Sequence, residues 1–143
     1  MNEKTTSVRL DISLHFGNGG RLTPEDLRLI EAICRARSIL GASRTTGLSY
    51  RKCWLLVDAL NRTFEAPVFA TFPGRRGGGA ELTPFGERLA ALYGSIGRRA
   101  RTQAKAALDE FSAALNPDFA PRASAGASEE APAESLPRRS QRS

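Results

Sequence analysis

The chain has 143 residues, 41% of them hydrophobic, which indicates one domain with a single small core. Its formal net charge of +6 favours a nucleic acid or an anionic surface as partner, although abundant arginine explains part of this charge. The sequence contains no apolar run of about 18 residues and no apolar signal core, so we expect a cytoplasmic protein without a membrane partner. The two cysteines, Cys34 and Cys53, are expected to be small buried residues and not zinc ligands or a disulfide.

An N-terminal strand is predicted over Ser7 to Phe16, because apolar and polar residues alternate strictly there. The residues before it, 1–6, are expected to be flexible. His15, the single histidine, falls on the polar face of this strand, and we interpret it as an ordinary surface residue. A glycine-rich turn over residues 17–20 follows the strand.

The first helix is predicted to begin after Thr23, which can cap it, with Pro24 at the first helical position. Two acidic residues in its first turn favour the positive end of the helix dipole. Apolar residues recur at helical spacing through about Arg37, and they predict a buried face formed by Leu27, Ile30, Ile33 and Cys34.

A helix-turn-helix is predicted between Ser38 and Phe64. A short helix after Ser38 ends at Gly47, and Ser49 opens a longer helix with Cys53, Val57, Leu60 and Phe64 as its core stripe. Residues near the start of the second helix of such a motif reach base edges and phosphates. We therefore predict DNA contacts by five residues near this start: Ser49, Tyr50, Arg51, Lys52 and Trp54.

Different roles are predicted within this group. Arg51 is the candidate for bidentate recognition of guanine, and Lys52 is the candidate for a phosphate contact. Tyr50 and Trp54 are four residues apart, so their rings can pack together. A simpler interpretation stays open, in which Ser49 only caps the helix, the two rings only pack, and the charges form a solvated face.

A β-hairpin is predicted over Pro67 to Leu82, with a basic, glycine-rich loop over residues 73–79. A hairpin of this kind after a recognition helix is typical of a wing, in which Arg75 and Arg76 would approach phosphates or the minor groove. A merely flexible hairpin stays an alternative. A nucleotide-phosphate loop is disfavoured, because the loop lacks the glycine-lysine motif and is followed by a strand.

The longest predicted helix covers residues 84–115 and would measure about 48 Å at about 1.5 Å per residue. A domain of this size cannot cover so long a face, which indicates a partner helix from a second copy of the chain. The predicted dimerisation residues lie on its apolar stripe: Leu89, Leu92, Ile96, Ala100, Ala107 and Phe111.

Two further features of this helix are interpreted with less specific roles. Gly94 and Gly97 each cost about 1 kcal/mol against alanine in a helix interior, and close helix approach is one explanation for them. Arg98, Arg99 and Arg101 form a basic patch, which we interpret as a solvated face and not as a DNA contact.

A change of composition after Asn116 predicts a disordered tail rich in Pro, Ala, Ser and Arg. Its four arginines are balanced by four acidic residues, so the net positive charge lies in the part before it. The predicted organisation is a flexible N-terminus over 1–6, a DNA-binding and dimerisation domain over 7–116, and the tail over 117–143.

These residues resemble the N-terminal DNA-binding domain of the ModE family, the molybdenum-responsive bacterial regulators, which is related to the LysR-type winged helix. The resemblance covers about Leu10 to Leu115. Three blocks carry it in the family's order: the turn and recognition helix (Ser38-Ile39, Gly47 to Arg51, Trp54), the wing (Gly74 to Ala80) and the start of the dimerisation helix (Leu82-Thr83, Gly86, Leu89).

The resemblance implies DNA binding and dimerisation. ModE-type regulators also carry C-terminal domains that bind molybdate, and the tail after Asn116 leaves no room for even one of them. We therefore expect no molybdate binding on this chain.

The predicted fold is mainly α (α+β): a winged helix-turn-helix with an N-terminal strand, a β-hairpin wing and a long C-terminal dimerisation helix. The predicted function is transcriptional regulation by a homodimer that binds a two-fold symmetric operator on double-stranded DNA. Two alternatives stay open, a non-specific architectural DNA-binding protein and a winged helix used for protein contacts. We expect no enzyme, cofactor or metal site, because the sequence offers no nucleophile–base pair and no set of metal ligands.

Overall fold

The structure is a computed structural model that describes residues 7–122. In this part of the chain the four short strands are β1 (Leu14–His15), β2 (Arg21–Leu22), β3 (Phe69–Phe72) and β4 (Gly79–Leu82). The five helices are α1 (Pro24–Ala36), α2 (Ile39–Thr46), α3 (Tyr50–Thr63), α4 (Pro84–Gln103) and α5 (Lys105–Ala114). The predicted flexible N-terminus, 1–6, and most of the predicted tail lie outside the described residues.

The chain divides into two units. Residues 9–107 form the first, which contains the helix-turn-helix and the hairpin. The described part of the second unit comprises residues 7–8 and 108–122, in which Phe111 is 65% exposed and Phe119 is 71% exposed. The described start of the predicted tail, 117–122, is exposed and forms no helix or strand.

The N-terminal strand is much shorter than predicted. Side chains from Arg9 to Phe16 do alternate between exposed and half-buried, as the sequence pattern requires. Only Leu14 and His15 pair with another strand, opposite Leu22 and Arg21. The alternation therefore shows that one side of this segment is partly buried. The prediction of a strand over the other residues from Ser7 to Phe16 is wrong, because β2 offers only two residues to pair with.

Helix α1 begins at Pro24 as predicted. The hydroxyl of Thr23 accepts a hydrogen bond from the Asp26 N–H, and the Asp26 carboxylate accepts one from the Thr23 N–H, so the two residues form a capping box. The buried face of this helix is centred on Leu29 to Ile33. Cys34 lies outside this arc and is exposed, so the prediction that it is buried is wrong.

The core lies where α1, α2, α3 and the hairpin meet. Helix α3 contributes Cys53, Val57 and Leu60, as predicted, and also Leu56. Phe64, the last residue of the predicted stripe, caps this helix and is half-buried. Its ring packs edge-on against two other aromatic rings, with centroid distances of 5.4 Å to Phe16 and 5.5 Å to Phe85.

The long C-terminal helix is interrupted at Ala104. Helix α4 ends at Gln103, Ala104 has φ −94° and ψ 7°, and α5 begins at Lys105. The prediction of one continuous helix over 84–115 is therefore wrong, and α4 alone is about 30 Å long. Neither glycine nor proline occurs around this break, so the local sequence gives no sign of it.

Helix α4 faces the core through Gly86, Leu89 and Tyr93. The Tyr93 hydroxyl donates a hydrogen bond to the Ile12 carbonyl, which holds the N-terminal segment against the helix. Beside this contact is a cavity of about 310 Å³, with Gly94 and Gly97 among its lining residues. A Cβ at Gly94 or Gly97 would meet only the guanidinium of Arg98 or Arg101 on the same helix within 4 Å, so no close approach of another segment requires these glycines.

Candidate nucleic-acid interface

The turn between α2 and α3 is held by local hydrogen bonds. Gly47 ends α2 with φ 80°, a left-handed conformation in which glycine carries no steric penalty. The Ser43 hydroxyl donates to the Leu48 carbonyl at 2.7 Å, and the Leu48 N–H donates to the Thr46 hydroxyl at 3.2 Å. The Ser49 hydroxyl then accepts a hydrogen bond from the Lys52 N–H at 3.0 Å and caps α3. This rigid turn sets the direction in which α3 leaves it.

Burial beneath this turn changes the pKa of the Cys53 thiol. Cys53 is fully buried beneath the turn, and this burial raises the pKa of its thiol above the ordinary value. A side-chain hydrogen bond with Thr46 acts on that pKa in the opposite direction. Cys53 therefore acts as a small apolar residue that joins the turn to the core.

The first turn of α3 presents two cations to solvent. Arg51 and Lys52 are both exposed, and no ion pair or side-chain hydrogen bond engages either of them within residues 7–122. The core stripe on the opposite side fixes the rotation of the helix. The two basic side chains are therefore available for a ligand outside the chain.

Tyr50 and Trp54 pack together as predicted from their spacing. Their ring centroids are 6.3 Å apart with an interplanar angle of 81°, an edge-to-face arrangement. Trp54 is half-buried and packs against the core, whereas Tyr50 is 42% exposed. The structure thus gives Trp54 a packing role and leaves Tyr50 accessible at the edge of the candidate surface.

The hairpin has four paired residues on each strand, with Phe69 opposite Leu82 and Phe72 opposite Gly79. Asn61 attaches the base of the hairpin to α3. Its side-chain carbonyl accepts hydrogen bonds from the Val68 and Phe69 N–H groups at 2.8 and 2.9 Å, and its amide donates to the Phe69 carbonyl at 3.0 Å. This single side chain therefore orients the hairpin relative to α3.

The tip of the hairpin is attached to α2. The Gly78 carbonyl accepts a hydrogen bond from the Ile39 N–H at 2.7 Å, and the Gly77 carbonyl accepts one from the Leu40 N–H at 3.0 Å. These are N–H groups of the first turn of α2, which have no partner within the helix. The hairpin thus supplies the missing acceptors, and its loop is held beside the helix-turn-helix.

Only glycine fits at the end of this loop. Gly78 has φ 75°, and a Cβ there would lie 2.8 Å from the Trp54 ring and 2.9 Å from the Tyr50 hydroxyl oxygen. Because of this close approach, the loop and the aromatic pair of α3 form one surface.

The two predicted wing arginines have different environments. The Arg75 guanidinium lies 3.8 Å from the centroid of the Phe72 ring and 3.2 Å from the Glu81 carboxylate. Arg76 is exposed and has no ion-pair partner among the described residues. Arg75 is therefore pre-positioned along the hairpin, and Arg76 is the more accessible of the two.

Sequence reasoning missed several exposed residues of this surface. Leu55 follows Arg51 by one helical turn and is 51% exposed. Arg44 and Thr45, at the end of α2, are exposed beside the turn. The sequence did offer a sign that Leu55 is exposed, because this apolar residue lies outside the core stripe of α3.

The predicted dimerisation residues fall into three groups. Leu89 is 8% exposed and belongs to the core of its own chain, so the structure does not leave it open to a partner. Leu92 and Ile96, at 48% and 41% exposed, lie on the outer face of α4, and Ala100 is half-buried. Beyond the break at Ala104 lie the last two predicted residues, both exposed: Ala107 and Phe111.

The class of domain follows from a family comparison. Residues 24–87 match the family model described as bacterial regulatory helix-turn-helix protein, lysR family. This range begins at the first residue of α1 and ends in the first turn of α4, so it includes the helix-turn-helix and the hairpin. The chain therefore carries a LysR-type winged helix-turn-helix, and the predicted fold class is confirmed.

Individual relatives make this assignment more specific. The chain is 48% identical over 79 residues to molybdenum-pterin-binding protein MopB of Rhodobacter capsulatus, which covers 54% of this chain and 29% of MopB. It is 40% identical over 97 residues to MopA of the same organism, covering 67% of this chain and 36% of MopA. It is 37% identical over 106 residues to molybdenum transport protein ModE of Azotobacter vinelandii, and this match covers 73% of this chain and 38% of that ModE. The recognition of a ModE-type domain is thereby confirmed.

The chain spans only about a third of the length of these relatives, from 29% to 38%. The similarity therefore concerns a shared segment and not the whole of each relative. Within residues 7–122 no helix has the length and apolar character needed to cross a membrane. The same residues contain no group of three or more His, Cys, Asp or Glu side chains placed to hold a metal ion.

Proposed function

We propose that the protein is a DNA-binding transcriptional regulator of the ModE and LysR-like winged-helix type, acting in the cytoplasm on double-stranded DNA. The observation that carries this proposal is the exposure of Arg51 and Lys52 on the first turn of α3, opposite a well-formed core stripe. In helix-turn-helix proteins this turn enters the major groove. Several relatives are named as transcriptional regulators, including ModE of Haemophilus influenzae and of Escherichia coli.

Each predicted site residue has a role in the proposal. Arg51 recognises a guanine through two hydrogen bonds, and Lys52 binds a phosphate. Ser49 and Tyr50 position the start of the helix against the DNA backbone, and Trp54 supports Tyr50 from below. Arg75 and Arg76 bind the flanking backbone or minor groove from the wing.

The proposal includes a homodimer on a two-fold symmetric operator. Support comes from the outer face of α4, where Leu92 and Ile96 are large apolar side chains without a partner in their own core. Exposed Phe111 on α5 adds a further apolar residue. Two recognition helices related by a two-fold axis would read half-sites about one helical turn of DNA apart, or a multiple of it.

Selection of bound DNA from a random pool is the experiment that tests this function. A palindromic consensus with a fixed spacing is the expected result. Salt titrations of the selected duplex and of a scrambled duplex should then differ in affinity by about 10³-fold or more.

The outcomes of this titration separate the alternatives. Equal affinities for the selected and scrambled duplexes would overturn the proposal in favour of an architectural DNA-binding protein. Absence of DNA binding by the intact chain would favour a winged helix used for protein contacts. An asymmetric consensus would retain sequence-specific binding and remove the two-fold operator.

Molybdenum recurs in the names of the relatives. The proposal takes DNA binding from them and not molybdate binding, because the chain matches only 29% to 38% of their length. Equilibrium dialysis of the intact chain with molybdate tests this part of the proposal, and retention of the anion by the protein would contradict it.

A further inference from the structure

Leu55 is a large apolar side chain on the polar outer face of α3. It is 51% exposed, and it is neither part of the buried core nor one of the partly buried residues packed against it. Its neighbours within one helical turn on this face are all exposed: Arg51, Lys52, Asp58 and Ala59. The packing of the described residues therefore gives no reason for a leucine at this position.

Resting on the proposed DNA-binding function, we propose that Leu55 is a specificity-determining residue that contacts the 5-methyl group of a thymine in the major groove. Thymine is the one unmodified base that presents a methyl group there, and proteins recognise this group by apolar contact. A leucine has no donor or acceptor for a base edge. Its contribution is therefore the removal of two apolar surfaces from water.

The position of Leu55 on the helix defines where this thymine lies. Leu55 follows Arg51 by four residues, so it lies about 6 Å further along the axis of α3. Base pairs are about 3.4 Å apart along the duplex. The thymine is therefore expected within about two base steps of the guanine assigned to Arg51.

Among the large aliphatic residues of α3, Leu55 is the one that the fold leaves exposed. Trp54 packs against the core and the Gly78 loop, and Leu56 is buried. One turn further on, the Asp58 carboxylate pairs with the Arg62 guanidinium at 3.1 Å. The two charges of this ion pair offset each other, so the pair carries no net charge toward a phosphate and supplies no second apolar contact on this face.

The test uses the selected operator with each thymine of one half-site replaced in turn by deoxyuridine. This replacement removes the methyl group and keeps base pairing and the backbone. Dissociation constants are measured for the wild type, for Leu55→Ala and for Leu55→Met, which keeps an apolar side chain. Far-ultraviolet circular dichroism confirms that each variant folds, which is expected because the side chain is exposed.

One thymine is expected to stand out. Its replacement should weaken wild-type binding about fourfold, the effect of losing one buried methyl group. Leu55→Ala should weaken binding to the natural operator by a similar factor and should then be insensitive to that replacement, whereas Leu55→Met should remain sensitive. In parallel, each guanine is replaced in turn by 7-deazaguanine. The guanine bound by Arg51 is the one whose replacement weakens binding of the wild type but leaves binding of Arg51→Ala unchanged.

Two results would overturn the assignment, and they are distinguishable. If the operator is bound specifically but deoxyuridine costs the same in the wild type and in Leu55→Ala at every position, only the role of Leu55 is wrong. If no duplex is preferred over a scrambled one, the role of Leu55 and the proposed function fail together.

Discussion

At the scale of single residues, the two exposed cations on the first turn of α3 are expected to make different contacts with DNA. Arg51→Ala should cost about 1–3 kcal/mol of binding free energy and relax base preference at one position. Lys52→Ala should weaken binding to all sequences alike and lower the slope of log affinity against log salt by about one. Fluorescence anisotropy across a salt series measures both quantities.

The matched control for these two variants is Arg9→Ala. Arg9 is exposed and pairs with Asp11 at 2.9 Å, outside the helix-turn-helix and the hairpin. Its removal takes away the same charge and should leave base preference unchanged. Equal effects of Arg9→Ala and Arg51→Ala on base preference would contradict the assignment of Arg51.

Gly78→Ala is predicted to destabilise the fold. Alanine would have to adopt the left-handed backbone conformation of Gly78, and its Cβ would clash with the Trp54 ring. We expect the free energy of unfolding to fall by about 1–3 kcal/mol. Urea unfolding measures the loss. Gly74→Ala is the control, because a Cβ there meets nothing within 4 Å, and a loss as large as that of Gly78→Ala would contradict the explanation.

Sequence reasoning at this scale worked where one residue type has one common use. Thr23 and Ser49 both cap helices as expected, because a side-chain oxygen before a helix has few other functions. It failed for Cys34, since a small residue at the edge of an apolar stripe can lie on either side of the boundary. The role of Asn61 was also unpredictable, because its partners are brought close only by the fold.

At the scale of elements, the Asn61 side chain connects α3 to the hairpin. Asn61→Ala should leave the buried Val68 and Phe69 N–H groups without acceptors, at about 1–3 kcal/mol for each. Thermal unfolding should show a large loss. The control Asn18→Ala removes an exposed amide that donates to the Thr63 carbonyl and accepts from the Gly20 N–H, and it should cost only about 1 kcal/mol because water can replace the lost partners. Similar losses for the two variants would mean that Asn61 does not hold the hairpin.

Helix α4 and the N-terminal segment are joined by Tyr93, which makes their contact sensitive to alkaline pH. Burial, with the charges of Asp26 and Asp11, raises the pKa of Tyr93 above its ordinary value of 10.0. The pKa of Tyr93 is therefore higher in the folded state than in the unfolded state. The stability that the protonated phenol contributes is fully present below pH 10 and is lost as the pH rises through the folded-state pKa.

Tyr93→Phe tests this prediction. The variant should lose about 1 kcal/mol at neutral pH, since the hydrogen bond to the Ile12 carbonyl is gone, and should decline less steeply than the wild type above pH 10. Urea unfolding at a series of pH values measures both effects. The control Tyr50→Phe removes a hydroxyl of α3, away from the contact between α4 and the N-terminal segment, and should show the same decline above pH 10 as the wild type. An unchanged alkaline decline in Tyr93→Phe would contradict the role of this phenol.

Among the elements, those with strong start and stop signals could be predicted within a residue or two, such as α1, α2 and α3. The hairpin was also predictable, because a glycine-rich loop separates two short apolar runs. Strand β1 and the break at Ala104 were not. Strand length depends on the length of the pairing strand, and the break lies in a sequence that helices accept.

At the scale of the whole molecule, the proposed dimerisation through the outer face of α4 gives a quantitative expectation. Light scattering at micromolar concentration should give twice the chain mass for the wild type. Leu92→Asp combined with Ile96→Asp should give a monomer, because two charges would be buried in an apolar contact. Binding to a two-site operator should weaken strongly in this double variant, while binding to an isolated half-site should change little.

The control for the double variant is Arg35→Asp on α1, an exposed position that changes the net charge by the same amount. This variant should remain a dimer. A wild-type monomer at micromolar concentration, or a dimer that survives the double substitution, would remove α4 from the interface. The sequence alone does not show which residues of the apolar stripe on α4 are available to a partner. Leu89 is buried in the core of its own chain, whereas Leu92 on the same stripe is exposed to solvent.

The carbonyl groups of Gly77 and Gly78 accept hydrogen bonds from the Ile39 and Leu40 N–H groups, so these two amides lose their acceptors when the wing leaves α2. Exchange of these two amide protons with solvent deuterium therefore reports directly on detachment of the wing. It also follows that the wing is not a transferable module. An engineered protein with a different wing satisfies the first turn of α2 only if the incoming loop brings two carbonyls to the same points.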